Sequence, residues 1–250
     1  MRGDMVFLVG FLGFAFASMA VYAIRNDASE VDPLESTARG TFVLGSFVRS
    51  WFYWFIGPGV RLALWAGLSP TFFNILGAAL GAASGAAFAF GRPVLGGWFI
   101  LMGGSADVFD GRVARSQGVA SPRGAFLDSS LDRFAEVGVF VGLVVYFHSQ
   151  PILAMTVALA LGGSLLVSYT RARGESQGVV CTVGVMQRAE RLLLLGFAGL
   201  LDSAITGWLG RPPGSALALV IGIIAVGTLA TAIYRTVWIA ARLPAASIPE

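Results

Sequence analysis

Five carboxylates fall in or beside two neighbouring apolar stretches of this chain: Asp107, Asp110, Asp128, Asp132 and Glu136. An unpaired carboxylate at the centre of such a stretch costs on the order of 2.5–3.5 kcal/mol, so acidic groups kept there mark function. Their spacing narrows the chemistry. Asp107 and Asp110 share one helical face, with Gly111 and Ala114 beside them, and Asp128 and Asp132 share another. Two facing helices would bring four carboxylates together. Four negative charges in a low-dielectric site repel one another, and divalent cations resolve that conflict. Ligation by oxygen alone suits Mg²⁺, Mn²⁺ or Ca²⁺ rather than zinc. The single His148 and single Cys181 exclude a His/Cys metal site. Gly111 and Ala114 leave room for a bulky phosphate ligand, and Arg115, one position off that face, offers a guanidinium to its oxygens. Cations, space and a cationic clamp are the parts of phosphoryl transfer. Interhelical ion pairs, Asp110 with Arg115 or Asp132 with Arg133, are the structural alternative. They explain one such aspartate far better than four.

The elements that position these residues must be membrane helices. Of 250 residues, 56% are hydrophobic and 12% charged, against about 25% charged in soluble domains. Mean hydropathy is +0.77, and several apolar runs approach 20 residues, the length of a bilayer span. The fold class is therefore all-α and polytopic. Residues 1–24 read as an N-terminal transmembrane helix, an anchor rather than a cleaved signal despite small-x-small patterns at Ala15–Ala17 and Ser18–Ala20. Residues 25–69 read as a polar cytoplasmic linker followed by an amphipathic helix in the membrane interface, anchored by Trp51, Tyr53 and Trp54. Residues 70–242 read as a six-span core with helices at 71–90, 94–115, 126–147, 151–173, 188–206 and 215–239, and 243–250 as a tail. Ser69 is placed to cap the first core helix, with Pro70 in its first turn. Gly77, Gly81 and Gly85 recur every fourth position, a stripe that admits close helix packing.

The basic residues orient this map. All 17 are arginine; fourteen fall on the side of the longer connections, and only Arg2, Arg92 and Arg211 on the other. That positive-inside bias puts the N-terminus outside, and the C-terminus and carboxylates on the cytoplasmic side of the cell membrane. A net charge of +3 gives no argument for nucleic acid, and one cysteine forms no intrachain disulfide.

Asp107-x-x-Asp110-Gly111-x-x-Ala114-Arg115, eight residues, then Gly124-x-x-x-Asp128-x-x-x-Asp132 resembles the complete signature of the CDP-alcohol phosphotransferases. The resemblance runs from about Arg49 to the C-terminus and leaves the first span unexplained. It implies transfer of a substituted phosphate from a CDP-linked donor to a hydroxyl, with release of CMP. It implies that Asp107, Asp110 and Asp128 bind a two-metal centre of Mg²⁺ or Mn²⁺, that Asp132 touches a metal and acts as general base, and that Gly111, Ala114, Arg115 and Gly124 line the CDP site. Near Pro70 the family often carries Pro-Asn-x-x-Thr, from which Thr71 and Asn74 depart.

A second polar cluster lies on the same side. Arg171 near the end of one span, and Arg188 and Arg191 at the start of the next, are placed to bind an anionic acceptor. This pattern resembles the phosphatidylinositol-phosphate synthase branch, with Arg171 in place of the usual lysine and Gln187 in place of an acidic residue. The bland alternative is positive-inside anchoring. The leading reading is a transferase that moves a phosphatidyl group from CDP-diacylglycerol to a small polar acceptor, inositol phosphate or another phosphorylated polyol. A homodimer is left open. The rivals are a CDP-choline- or CDP-ethanolamine-type enzyme acting on a lipid acceptor and an ion-coupled transporter. Glu136 continues the Asp128–Asp132 stripe and is expected to pair with an arginine. His148 is expected in solvent, and Cys181 is given no role.

Overall fold

A computed structural model describes residues 2–25 and 45–244; the linker residues 26–44 and the tail beyond 244 lie outside the described residues. Among those described, eight helices and no strands form the molecule: α1 (Arg2–Arg25), α2 (Gly45–Trp65), α3 (Pro70–Ala89), α4 (Pro93–Gln117), α5 (Pro122–Tyr146), α6 (Pro151–Ser176), α7 (Arg188–Leu209) and α8 (Ser215–Ala240). Local sequence sets the boundaries. Helices α3 to α6 each begin with a proline, whose fixed φ suits the first turn and whose missing N–H has no helical partner there. Ser69 caps α3, its Oγ accepting from Phe72 N at 3.2 Å. α4 and α7 end at Gly118 and Gly210, both left-handed.

Helices α3, α6, α7 and α8 are long and apolar enough to cross a membrane; in α1, Gly13–Arg25 forms a shorter apolar stretch. α4 and α5 have 25 residues each, about 37 Å of helix, and carry the charged groups of the site. α3 packs on both α4 and α5, α7 packs on α4 and α8, and α6 packs on α8. The glycine stripe serves the first of these contacts. A side chain at Gly81 would meet Ala135 Cβ at 2.6 Å, and one at Gly85 would run into the Gly138 backbone. Ser84 Oγ donates to the Gly96 carbonyl (2.9 Å) and ties α3 to α4. Phe88, Phe140, Leu143, Leu195, Leu217 and Ile224 fill the main core. A smaller cluster, Ile56, Val60 and Ala63 of α2 with Phe73 and Val113, fixes α2 beside the end of α4. α1 rests on α2 through Tyr22 on Trp54 and a hydrogen bond from Trp51 Nε1 to Ser18 Oγ (3.2 Å).

At the end of the bundle carrying Arg92 and Arg211, buried Asp202 of α7 receives the Gly214, Ala216 and Leu217 N–H groups at 2.6, 3.1 and 3.1 Å. Its charge meets the positive end of α8 and satisfies donors that the first turn cannot pair internally.

Candidate active site

The chain turns from α4 into α5 across residues 118–121. Gly118 takes the left-handed conformation (φ 67°) that ends α4. Ser121 opens α5, its Oγ accepting from Gly124 N at 3.2 Å. This short turn holds the last three turns of α4 and the first three of α5 at one level, and those turns carry the aspartates.

Carboxylate oxygens of Asp107, Asp110 and Asp128 all lie within 4.8 Å of one another. Asp110 is buried. The Asn74 amide nitrogen, oriented to satisfy its surroundings, donates to Asp110 Oδ2 and, at 3.1 Å, to the Pro70 carbonyl. α3 thus supplies a polar group to a site otherwise built by α4 and α5. Beside the aspartates, the Arg115 side chain folds back over Gly111, where an added Cβ would stand 3.3 Å from Arg115 Nη1. Arg112 places its guanidinium 5.0 Å from the centre of the Tyr53 ring and links α2 to the same end of α4.

Asp132 belongs to a run of alternating charge. Arg188, in the first turn of α7, sets Nη1 3.0 Å from Asp107 Oδ1 and Nη2 2.6 Å from Asp132 Oδ1. Arg133 lies 4.0 Å from Asp132 and 3.1 Å from Glu136 Oε2, and its Nη1 also donates to Ser168 Oγ of α6. Glu136 Oε1 accepts from Arg191 Nε (2.8 Å) and forms an ion pair with Arg191 Nη2 (2.7 Å), and Arg191 Nη1 donates to the Met186 carbonyl at 3.1 Å. The expected pairing of Glu136 with arginine is present, doubly. Arg191 is 1% exposed, so it lies beneath the site rather than at its surface. Arg171 pairs with Glu175 on its own helix (3.0 Å). The structure therefore joins Arg188 to the carboxylates, sets Arg191 under them on Glu136, and leaves Arg171 with a local partner. Ion pairing is realised in part, at Asp132 with Arg188 and Arg133 and at Asp107 with Arg188, while Asp107, Asp110 and Asp128 still converge.

The sequence profile of the CDP-alcohol phosphatidyltransferases matches residues 68–241. The chain belongs to this family. As a CDP-alcohol phosphatidyltransferase it is an enzyme, and its apolar helices make it a membrane protein. It is 34% identical over 208 residues to the phosphatidylinositol phosphate synthase of Streptomyces avermitilis, an alignment covering 79% of this chain and 83% of that one. Its structure is similar to the crystal structure of the Mycobacterium tuberculosis phosphatidylinositol phosphate synthase with CDP-DAG bound (TM-score 0.64, 27% identity, 73% of this chain and 92% of that one). A structure of the M. tuberculosis enzyme in complex with manganese and citrate gives a TM-score of 0.65 at 27% identity, covering 73% and 87%.

Two further residues of this phosphatidyltransferase escaped the sequence reading. Asn74 reads there as a departure from a family pattern, yet it reaches Asp110. Arg235 of α8 is buried; its Nε donates to the Val183 carbonyl (2.7 Å) and its Nη1 to the Val167 carbonyl (2.9 Å). With Thr231, whose Oγ1 accepts from Met186 N at 3.3 Å, it fixes the loop leading into Arg188. A buried arginine in an apolar helix was the available signal.

Proposed function

We propose that this chain transfers a phosphatidyl group from CDP-diacylglycerol to a hydroxyl of inositol phosphate, with release of CMP. The observation that carries the reading is the convergence of Asp107, Asp110 and Asp128 from α4 and α5, with Asp132 one turn farther along α5. Oxygen-only donors on two helices, brought within a few ångströms, fit a pair of hard divalent ions, Mg²⁺ or Mn²⁺, held by Asp107, Asp110, Asp128 and Asp132. Such ions, when bound, supply charge neutralisation at the diphosphate oxygens.

The chain's own residues divide the remaining work. Gly111, Ala114 and Gly124 give the nucleotide close approach to α4 and α5, and Arg115 meets its phosphates. Asp132 accepts the proton of the acceptor hydroxyl as that oxygen forms a bond to the lipid-linked phosphorus. The phosphorus–oxygen bond to CMP breaks, and CMP leaves with the electron pair. Arg171 and Arg188 face the acceptor phosphate, while Arg191, locked on Glu136, adds positive potential from below. The relatives named above support the acceptor, and the arginine distribution supports a site on the cytoplasmic face of the cell membrane, where the donor's acyl chains stay in the bilayer. Residues 1–24 form an added transmembrane helix ahead of the six-span core at 70–242.

The test is CMP release by detergent-purified protein with CDP-diacylglycerol, Mg²⁺ or Mn²⁺ and a panel of polyols, polyol phosphates and amino alcohols. Release that requires inositol phosphate is expected. Turnover with glycerol phosphate or serine instead, or with CDP-choline and diacylglycerol, overturns the assignment.

A further inference from the structure

Of the three arginines assigned to the acceptor side, two are paired with glutamates: Arg171 with Glu175, and Arg191 with Glu136, which Arg133 shares. Arg188 differs. Its partners are Asp107 and Asp132, one from α4 and one from α5, and both belong to the set expected to hold divalent ions. Its guanidinium thus provides, from α7, positive charge that the carboxylates otherwise take from a cation. Two divalent ions balance four carboxylates by themselves, so their arrival leaves the guanidinium among like charges and weakens its hold on Asp107 and Asp132. Arg188 has somewhere to go. Its side chain is 19% exposed, unlike that of Arg191, and it stands on the first turn of α7 at the end of a loop fixed by Arg235 and Thr231. A released guanidinium is a planar fork suited to a phosphate.

We propose that Arg188 is a displaceable internal cation: divalent-ion loading frees it from Asp107 and Asp132, and the freed guanidinium then binds the phosphate of the acceptor. Cation and acceptor phosphate therefore bind with positive coupling carried by this one side chain, and by linkage each raises the affinity of the other by the same factor. The inference rests on the proposed phosphorylated acceptor.

The experiment measures binding to the full-length protein in detergent, without donor. Mn²⁺ affinity is read by the electron paramagnetic resonance of free Mn²⁺, and inositol phosphate affinity by calorimetry, each with and without the other ligand. In the wild type, saturating Mn²⁺ should raise inositol phosphate affinity about tenfold, and inositol phosphate should raise Mn²⁺ affinity by a matching factor. Arg188→Gln should bind Mn²⁺ alone several-fold more tightly and reduce the coupling to less than about twofold. Arg171→Ala should weaken inositol phosphate binding and keep the coupling. Wild-type coupling in Arg188→Gln, weaker Mn²⁺ binding in that variant, or no coupling in the wild type overturns the proposal; the last needs no variant to fold. Inorganic phosphate is run in parallel. If it shows Arg188-dependent coupling while inositol phosphate does not bind, the acceptor assignment fails and the displacement stands. If inositol phosphate binds and supports CMP release with coupling independent of Arg188, the displacement fails and the function stands.

Discussion

Asp132 takes 2.6 Å contact from Arg188 and lies 4.0 Å from Arg133, so its charge is held between two guanidiniums while it faces the other aspartates. Asp132→Asn preserves its shape and removes its ability to accept a proton. CMP release should fall by roughly 10²–10⁴-fold while circular dichroism of the purified variant stays that of the wild type; wild-type turnover would refute the base assignment. Arg191 behaves differently because it is buried against Glu136. Removing one member of a buried pair typically costs about 3–5 kcal/mol, so Arg191→Ala should lower the melting temperature by roughly 6–20 °C, and Arg171→Ala should leave it near the wild-type value. Equal melting temperatures for the two variants would contradict the structural role of Arg191. The aspartates were legible in the sequence because spacings of three and four residues fix a helical face without knowledge of any neighbour. Asn74 was not legible, and neither was the bridge from Arg188 to Asp107 and Asp132. Those contacts cross between helices, and no spacing along the chain encodes them.

Among the helices, α3 does the positioning. It packs on both α4 and α5 through Gly77, Gly81 and Gly85, so the two carboxylate-bearing helices are spaced by its width and meet at their aspartates. The stripe announced close packing, but not which partners it served. The start of α3 was legible at Ser69-Pro70, whereas α5 opens in the same way at Ser121-Pro122, four residues ahead of the start expected at 126. The tie between α7 and α8 had no such local sign, since Asp202 caps a helix that begins thirteen residues later, at Ser215. Asp202→Ala leaves three N–H groups in a buried helix start without their acceptor. Stability should drop by on the order of 2 kcal/mol, read as earlier thermal unfolding with Michaelis constants for donor and acceptor unchanged. A change in either constant would mean that this end of the bundle communicates with the site.

For the molecule as a whole, the arginine asymmetry predicts which surface meets the cytoplasm. Cys181 is buried, so the native chain offers a quiet background for thiol labelling. His148 is exposed on the α5–α6 connection, and His148→Cys in intact cells should react with a membrane-impermeant maleimide, whereas Ser176→Cys, at the end of α6, should react after permeabilisation alone. The reverse pattern would invert the topology and put the aspartates outside. The catalytic expectations depend on α4 and α5 joining their carboxylates around divalent ions. Anomalous diffraction from Mn²⁺-soaked crystals of the full chain tests that most directly: the account predicts manganese peaks bounded by Asp107, Asp110, Asp128 and Asp132, and peaks elsewhere, with those side chains bound to arginine alone, would contradict it.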